Sequence, residues 1–346
     1  MTNDAVGASI LMPVLNEEAH VERSIEAILN QRFKPGLEVL VIDGGSHDRT
    51  PEILEAFARK EPRVRILDNP QRRIPNALNI GLRHARGEYI VRMDAHAYYP
   101  PDYISRGIER FEAGGVACVS GPQVPHGEDA WSRRVALALG TRLGIGGASF
   151  RNPTREIETD TAFTGVWRRS TLLELGGWDE RWPINEDAEL AARIREAGGR
   201  YVSLPEMAAR YVPRKSLSAL ALQYWRYGHY RVQTALHHPG TGLRRSHILP
   251  PAVSLAFAAA VAAPRRLRRL RRLANRGLLA YGVVLCAGTF EAAGADDADP
   301  RDVVWLPVVF TVMHLSWGAG FLAGSVRFGI PIAALARLLR ASPRRN

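Results

Sequence analysis

Apolar and polar positions in the first third of the chain alternate between two periods. Short apolar runs suit strands: ASILMPVL (8–15), LEVLVID (37–43), VRILD (64–68), EYIVRMD (88–94) and GVACVSG (115–121). Between the first four lie stretches with helical spacing, NEEAHVERSIEAILNQ (16–31), SHDRTPEILEAFARK (46–60) and IPNALNIGLRHARG (74–87). Acids fill the first turn of the first helix, while Thr50 as N-cap and Pro51 at the first helical position open the second. Continuous apolar strands alternating with helices predict a mostly parallel sheet covered on both faces. Ligands of such sheets bind outside the strand C-termini, and Asp43 and Asp94 end two of these strands.

The pattern is less regular over 121–245. RNPTREIETDTAFTGVWRRS (151–170) reads as loop and strand, and TLLELGGWDERW (171–182) as a helix closed by Gly176-Gly177. NEDAELAARIREAGG (185–199) is a helix with Asn185 as cap and acids in its first turn. YVSLPEMAARYVPR (201–214) reads as strands, and 216–238 as a helix dense in aromatic and basic residues.

Beyond 245 three apolar runs appear, 248–263, 278–295 and 303–324. The third is long enough to span a bilayer, the second marginally so, and the first is short and carries Pro250-Pro251. Arginines precede the second run, the acidic loop ADDADPRD separates it from the third, and basic residues follow the third. That pattern predicts a helical hairpin with both ends in the cytoplasm, and makes 248–263 re-entrant or interfacial. Three crossings, or a buried helical subdomain, are the alternatives. The expected division is 1–245 for an α/β domain and 246–346 for a membrane-associated helical region.

Charge changes the picture of partners. The 346 residues carry a net charge of +11, mostly from arginine. The excess concentrates at PRRLRRLRRLANR (264–276) and in the tail RLLRASPRRN, flanking apolar runs rather than covering the α/β part, which favours membrane lipid over nucleic acid. Two cysteines make no disulfide framework, so a reducing cytoplasm is expected for the main domain, and MTNDAVGAS has no visible signal-peptide pattern.

Four stretches carry candidate chemistry. In VIDGGSHDRT (41–50) a carboxylate ends a buried strand and two glycines allow close ligand approach. Asp48 and Thr50 also serve as helix caps there, whereas Asp43 stands where an acceptor meets a nucleobase N–H or ribose hydroxyls. RMDAHAYYP (92–100) puts Asp94 and His96 on one face of an extended chain. This pair suits a divalent cation shared with phosphate oxygens, and equally suits a solvated loop. WPINEDAEL (182–190) places Glu186 and Asp187 in a first helical turn, where acids offset the helix dipole or supply a general base. They point about 100° apart, so one faces substrate while the other caps or braces. QYWRYGHYR (223–231) mixes arginines with aromatics, as a membrane-surface helix, a nucleic-acid patch or a clamp for sugar and diphosphate would. GIGGAS (144–149) misses the dinucleotide fingerprint, and no phosphate-loop pattern occurs.

Taken in order, PVLNEE (13–18), VIDGGSHDRT, NALNIGLRHARGEYIVRMDAH, TAFTGVWRRSTLLELGGWDE with NEDAEL, and QYWRY resemble the motifs of a family-2 inverting glycosyltransferase of the GT-A fold, over about residues 7–240. The Asp-Ala-His form and the apolar C-terminal segments most resemble the succinoglycan-biosynthesis glucosyltransferase branch. The resemblance implies that Pro13, Leu15 and Glu17 shape the nucleotide pocket, with Glu17 near the ribose. It implies that Asp43 accepts from uracil, that Arg72 contacts the diphosphate, and that Asp94 and His96 hold Mn²⁺ or Mg²⁺. Asp187 would be the base, with Glu186, Gln223 and Arg226 on the acceptor or diphosphate side. Two departures stand out: His96 where many relatives have Asp, and Tyr227 in the place of a Trp.

The expected activity is therefore inverting transfer of one sugar from a UDP-glucose-like donor. The expected acceptor is a polyprenyl-diphosphate-linked or saccharide hydroxyl, at the cytoplasmic (inner) membrane with the catalytic domain facing the cytoplasm. Two rivals remain: a basic membrane-associated binding protein using the α/β domain as scaffold, and a nucleotidyltransferase. The sequence leaves the oligomeric state open.

Overall fold

The computed structural model describes residues 6–145, 154–295 and 298–340. Most of GIGGAS, the start of RNPTREIE, Asp296, Asp297 and the end of the basic tail lie outside the described residues. Along the chain, β1 (Val6–Val14) leads to α1 (Val21–Leu29), β2 (Gly36–Asp43), α2 (Thr50–Lys60), β3 (Val64–Asp68), α3 (Ile74–His84) and β4 (Tyr89–Arg92). Next come β5 (Ala97–Tyr98), α4 (Tyr103–Glu112), β6 (Cys118–Ser120), β7 (Gln123–Pro125), α5 (Ala130–Leu139) and α6 (Arg142–Ile145). Then follow β8 (Ile157–Thr159), β9 (Gly165–Arg168), α7 (Arg169–Glu174), α8 (Glu186–Glu196), β10 (Tyr201–Ser203) and β11 (Ala209–Tyr211). The remainder is helical: α9 (Leu217–His237), α10 (Leu249–Ala262), α11 (Arg268–Ala293), α12 (Pro300–Val303), α13 (Leu306–Phe328) and α14 (Ile332–Arg340).

The chain forms two compact units, Met1–Val124 with Ser149–Tyr211, and Pro125–Ala148 with Val212–Asn346. In the first, the described strands build an eight-stranded sheet in the order β3-β2-β1-β4-β9-β6-β10-β8. The strands β3, β2, β1 and β4 run parallel, whereas β9 is antiparallel to β4 and to β6, and β8 is antiparallel to β10. The chain moves from β1 outward to β2 and β3, then returns to place β4 on the other side of β1. That reversal opens a crevice beyond the ends of β1 and β4, where open α/β sheets bind ligands.

Alternation along the strands covers both faces. Ile10, Met12, Val39 and Val41 pack with Val21, Ile25 and Leu54 from α1 and α2. Their neighbours Leu11, Leu40 and Ile42 pack on the opposite side with Ala77, Leu78, Leu190 and Ile194 from α3 and α8. β1, β2 and β4 read as continuous apolar runs because their central residues are buried whichever way they point. Glu38, near the start of β2, is the exception. Its carboxylate accepts from the Ser9 hydroxyl, the Arg86 backbone N–H and the Arg65 and Arg86 guanidinium groups. Burial alone would raise its pKa, but these donors hold it below the ordinary value. An acid at a strand start is thus structural here, in contrast to the acids at strand ends.

Three helix starts differ from the sequence expectation. The helix expected from Asn16 begins at Val21, because Asn16 takes a left-handed backbone (φ 56°) and residues 15–20 form a loop. Thr50 lies inside α2 rather than capping it, and its backbone N–H is bonded by the Asp48 carboxylate. Asn185 does occupy the cap position of α8, but with φ 66° and no side-chain cap bond. The helix expected over 171–182 stops at Glu174, and Gly176 and Gly177 (φ 76° and 74°) lead into a loop.

In the second unit α9 and α13 touch backbone to backbone. A Cβ on Gly228 would stand 2.0 Å from the Trp317 carbonyl oxygen, one on Gly320 would stand 2.0 Å from that of Trp225, and one on Gly324 would stand 2.5 Å from that of His229. Gly320 and Gly324 form the G-x-x-x-G spacing that lets helices approach this closely. This seam draws α9 into the helical unit, so compactness changes at Val212 rather than near 245. The stretch 125–148 joins the same unit: Asp302 of α12 is bonded by Arg133 and Arg134 of α5, and Arg134 stacks over Trp131 and Trp305. Residues 245–262, 268–293 and 300–328 are each long and apolar enough to cross a membrane by length and composition.

Candidate active site

The loops after β1 and β2 clasp each other at the strand C-termini. Val14 and Asp43 are in register at the ends of the two strands. Beyond them, the Asn16, Glu17 and Glu18 backbone N–H groups donate to Ser46 Oγ, Thr50 Oγ1 and Asp48 Oδ2. In return, the His47 and Arg49 N–H groups donate to the Asn16 and Glu18 side chains. The polar residues of PVLNEE and GGSHDRT are therefore each other's partners. Asp43 lies half-buried at the crevice floor and accepts from the Ser46 backbone N–H and from its hydroxyl at 2.6 Å. A carboxylate has about four acceptor positions, so capacity remains for a ligand N–H.

Arg72 lies on the same rim. It has a left-handed backbone (φ 55°), Nη2 stands 3.3 Å from His47 Nε2, and the guanidinium lies against Gly45. A side chain at Gly45, itself at φ 72°, would meet it. Pro13 is half-buried in β1, and Leu15 is 43% exposed beside Gly44, an unusual setting for a leucine at the mouth of a polar crevice. Asn16, Arg72 and Asn185 are the non-glycine residues at positive φ among the described residues; Arg72 is itself a candidate site residue, and Asn16 and Asn185 border others. Such backbone strain concentrates at functional sites.

At the end of β4 stands a residue the sequence reading passed over. Arg92 is buried, and its Nε donates to Asp94 Oδ1 at 2.9 Å while Nη1 donates to Glu186 Oε1 at 3.0 Å. One guanidinium thus joins the Asp-Ala-His turn to the first turn of α8, across more than ninety residues of sequence. Burial would lower the Arg92 pKa, but Asp94 and Glu186, with Asp187 nearby, raise it above its ordinary value. On Glu186, burial and the charge of Asp187 outweigh the pull of Arg92, and its carboxyl is pushed up to about 7. Glu186 is therefore the brace, and Asp187, half-buried next to it, is the acid turned to the more open side. A lone arginine inside the apolar run YIVRMD was the available signal, since a charge amid buried strand residues requires a partner.

The Glu186 shift has a testable sign. An acid raised from 4.5 to about 7 on folding contributes fully below pH 4.5, and its contribution is lost as pH rises towards 7. The melting temperature of the full chain in detergent is expected to fall across that window. Glu186→Gln is expected to remove this slope while leaving the rest of the pH profile in place.

Asp94 and His96 do not sit on a straight strand. Ala97 N–H bonds back to Asp94 C=O, so 94–97 is a tight turn. Burial still alternates: Asp94 and His96 are partly exposed, while Ala95 and Ala97 are buried. The turn is pinned by Ser24, whose hydroxyl donates to Ala95 C=O, and by the Asp94 N–H donating to the Tyr99 hydroxyl at 2.7 Å. His96 Nδ1 lies 3.1 Å from Glu17 Oε1. That places Glu17 beside the imidazole.

These donors fit a divalent cation of the Mg²⁺ or Mn²⁺ kind. Asp94 offers a partly exposed carboxylate already oriented by Arg92, and a histidine held through one nitrogen by a carboxylate is the usual arrangement of a metal-ligating imidazole. No group of three or more His, Cys, Asp or Glu side chains suited to hold a metal occurs among the described residues. A cation here would need further ligands from a phosphate-bearing molecule. Gln223 and Arg226 belong to the second unit, on α9, where the Gln223 amide donates to the Tyr227 hydroxyl at 2.9 Å and Arg226 is exposed.

Comparison with known proteins gives consistent likenesses. The family model described as glycosyl transferase family 2 matches residues 9–174. The succinoglycan biosynthesis protein ExoA of Rhizobium meliloti (strain 1021) is 33% identical over 90% of this chain and 93% of its own length. A Methanococcus voltae dolichyl N-acetyl-alpha-D-glucosaminyl phosphate 3-beta-D-2,3-diacetamido-2,3-dideoxy-beta-D-glucuronosyltransferase is 25% identical over 64% of this chain and 71% of its own. Among solved structures, a mannosyltransferase from Pyrobaculum calidifontis, in complex with GDP-Man and Mn²⁺, superposes with a TM-score of 0.56 at 20% identity. That match covers 96% of this chain and 87% of the other. This likeness is one of fold, and the fold is GT-A.

Proposed function

We propose, because this chain belongs to glycosyl transferase family 2, that it moves one sugar from a nucleotide-diphosphate sugar to an acceptor hydroxyl with inversion at the anomeric carbon. The observation that carries this reading is the Asp94–Arg92–Glu186 bridge. It holds the Asp-Ala-His turn and the Glu-Asp helix start at one crevice, the two parts that a donor diphosphate and an acceptor hydroxyl would each need.

The nucleotide lies on the clasped loops, with Asp43 accepting from the base, Pro13 and Leu15 shaping its pocket, and Arg72 reaching the diphosphate. Asp187 takes the proton from the acceptor hydroxyl. The freed oxygen forms its bond to the anomeric carbon from the face opposite the nucleotide, and the bond to the diphosphate oxygen breaks. Gln223 and Arg226 serve the acceptor or diphosphate side. A divalent cation held by Asp94 and His96 would neutralise charge on the departing diphosphate. Arg72 acts in the same sense, and both effects grow as the bond breaks, so they act on the transition state. Glu17 keeps His96 oriented. Glu17→Gln is expected to weaken Mn²⁺ binding by about 10- to 100-fold, read by electron paramagnetic resonance titration in the presence of UDP, with the fold intact by melting.

The donor is UDP-glucose-like, and the acceptor is a polyprenyl-diphosphate-linked or saccharide hydroxyl in cell-surface polysaccharide or glycolipid synthesis. The naming of the Rhizobium relative for succinoglycan biosynthesis supports a place in polysaccharide synthesis. Residues 1–245 carry the reaction, and 246–346 associate with the cytoplasmic membrane, the catalytic unit facing the cytoplasm. The arginine excess beside the apolar helices favours lipid over nucleic acid as the anionic partner. Detergent-solubilised full chain, incubated with a panel of nucleotide sugars with and without Mn²⁺, should hydrolyse or transfer from at least one UDP-sugar and do so faster with the metal. A folded sample inert towards every donor would refute the assignment.

A further inference from the structure

The apolar helices carry contacts that a membrane-crossing hairpin would not allow. The tip between α11 and α13 includes α12, and Asp302 there, with its carboxylate buried, is bonded by Arg133 and Arg134. Those arginines lie on α5, reached from β7 through Pro-His-Gly-Glu-Asp-Ala-Trp-Ser, residues 125–132. So short and polar a stretch cannot cross a bilayer. The tip therefore faces the compartment in which Pro125 lies, which by covalent continuity is the compartment of the sheet strands. The second entry point agrees: Lys215, just before α9, stands 4.0 Å from Glu128.

With the tip on that side, parity limits the choices. The path from Lys215 to the arginine cluster and α11 from the cluster to the tip must both cross, or neither does. On the first path α9 carries Arg226, His229 and Arg231 at its middle and is not among the apolar candidates, which leaves α10. The 18 residues 245–262 make about 27 Å of helix, at the short end for a hydrocarbon core of about 30 Å. Crossing by α10, α11 and α13 would also put seven arginines of 264–276 and the basic C-terminal tail outside, with the acidic tip inside, the reverse of the usual charge bias.

The glycine seam is an independent objection to crossing. Trp317 is midway along α13, and its carbonyl lies against Gly228, while the Trp225 carbonyl lies against Gly320. Were α13 to span, exposed Arg226 would be carried to the bilayer centre, where an arginine is costly.

We propose that α10, α11 and α13 form a one-sided platform that enters a single leaflet, with no helix crossing. Exposed Leu255, Phe257, Leu279, Val283 and Phe290 enter the acyl region, and the 264–276 arginines lie at the anionic headgroups of the same leaflet. This rests on the proposed membrane-bound, cytoplasm-facing reading and replaces the hairpin expected from charge placement alone.

The test is cysteine labelling of the full chain in membranes, in a Cys286→Ser background that keeps buried Cys118. Single exposed positions are Ala113→Cys on the catalytic unit, Asn275→Cys in the arginine segment, Ala295→Cys at the tip and Ile332→Cys after α13. A membrane-impermeant maleimide is applied to right-side-out and inside-out vesicles. The platform requires all four to label from the face that labels position 113. Label at 295 alone from the other face means a spanning hairpin, and label at 275 and 332 from the other face means three crossings; either overturns the proposal. A parallel carbonate wash separates the two ideas, because release of the chain by carbonate overturns the membrane-embedded reading itself and the platform with it.

Discussion

Asp187→Asn is expected to lower kcat for sugar transfer by about 10²- to 10⁴-fold, the range for loss of a general base. Binding of the nucleoside diphosphate is expected to survive. Asparagine keeps the size and much of the hydrogen bonding of the aspartate but cannot accept the acceptor proton at neutral pH. The structure separates this residue from its neighbour, since Glu186 is buried on Arg92 whereas Asp187 is half-buried. Kinetics with saturating donor, alongside calorimetric titration of UDP, make the check. A variant that loses nucleotide binding together with turnover would move Asp187 from base to structural support of the α8 start.

The second large effect is on the fold of the site. Arg92→Met keeps the approximate length of the side chain and removes the charge that Asp94 and Glu186 share. Breaking a buried ion pair by deleting one partner costs about 3–5 kcal/mol when the remaining charge stays buried. Asp94 is partly exposed, and Glu186, already raised to about 7, takes up a proton without Arg92, so the loss is expected at the lower end. The loss should shrink as pH falls, since protonation of those acids relieves it. Adding Glu186→Gln to Arg92→Met is expected to recover part of the stability but none of the activity, because Asp94 remains without its orienting partner. Denaturant melts of the single and double variants, with transfer rates measured in parallel, test both halves. An Arg92→Met protein as stable and active as the parent would show that the bridge holds nothing in place.

The strand ends were legible because two simple patterns coincide there, an apolar run and the acid that closes it, as at Asp43 and Asp94. The buried bridge was not, because Arg92 and Glu186 are far apart in sequence and nothing local marks them as partners. Glu38 illustrates the same limit: it reads as a polar residue near the start of LEVLVID and proves to be a buried acid with several donors. The NEE segment suited a first helical turn by spacing alone. The clasp with Ser46, Asp48 and Thr50 instead pulls it into a loop, and left-handed Asn16 makes the turn. Likewise α9 reads as a continuation of the catalytic part until Gly228 meets Trp317, a contact between residues that no window of sequence contains together.

That contact between α9 and α13 has a further consequence. With carbonyls set where side chains would otherwise stand, α9 has no cushion against α13 and can neither roll nor slide without a collision. Gln223 and Arg226, on α9 beside that seam, are therefore fixed in position relative to α13. A side chain at Gly228, Gly320 or Gly324 would part the two helices and free both residues to move.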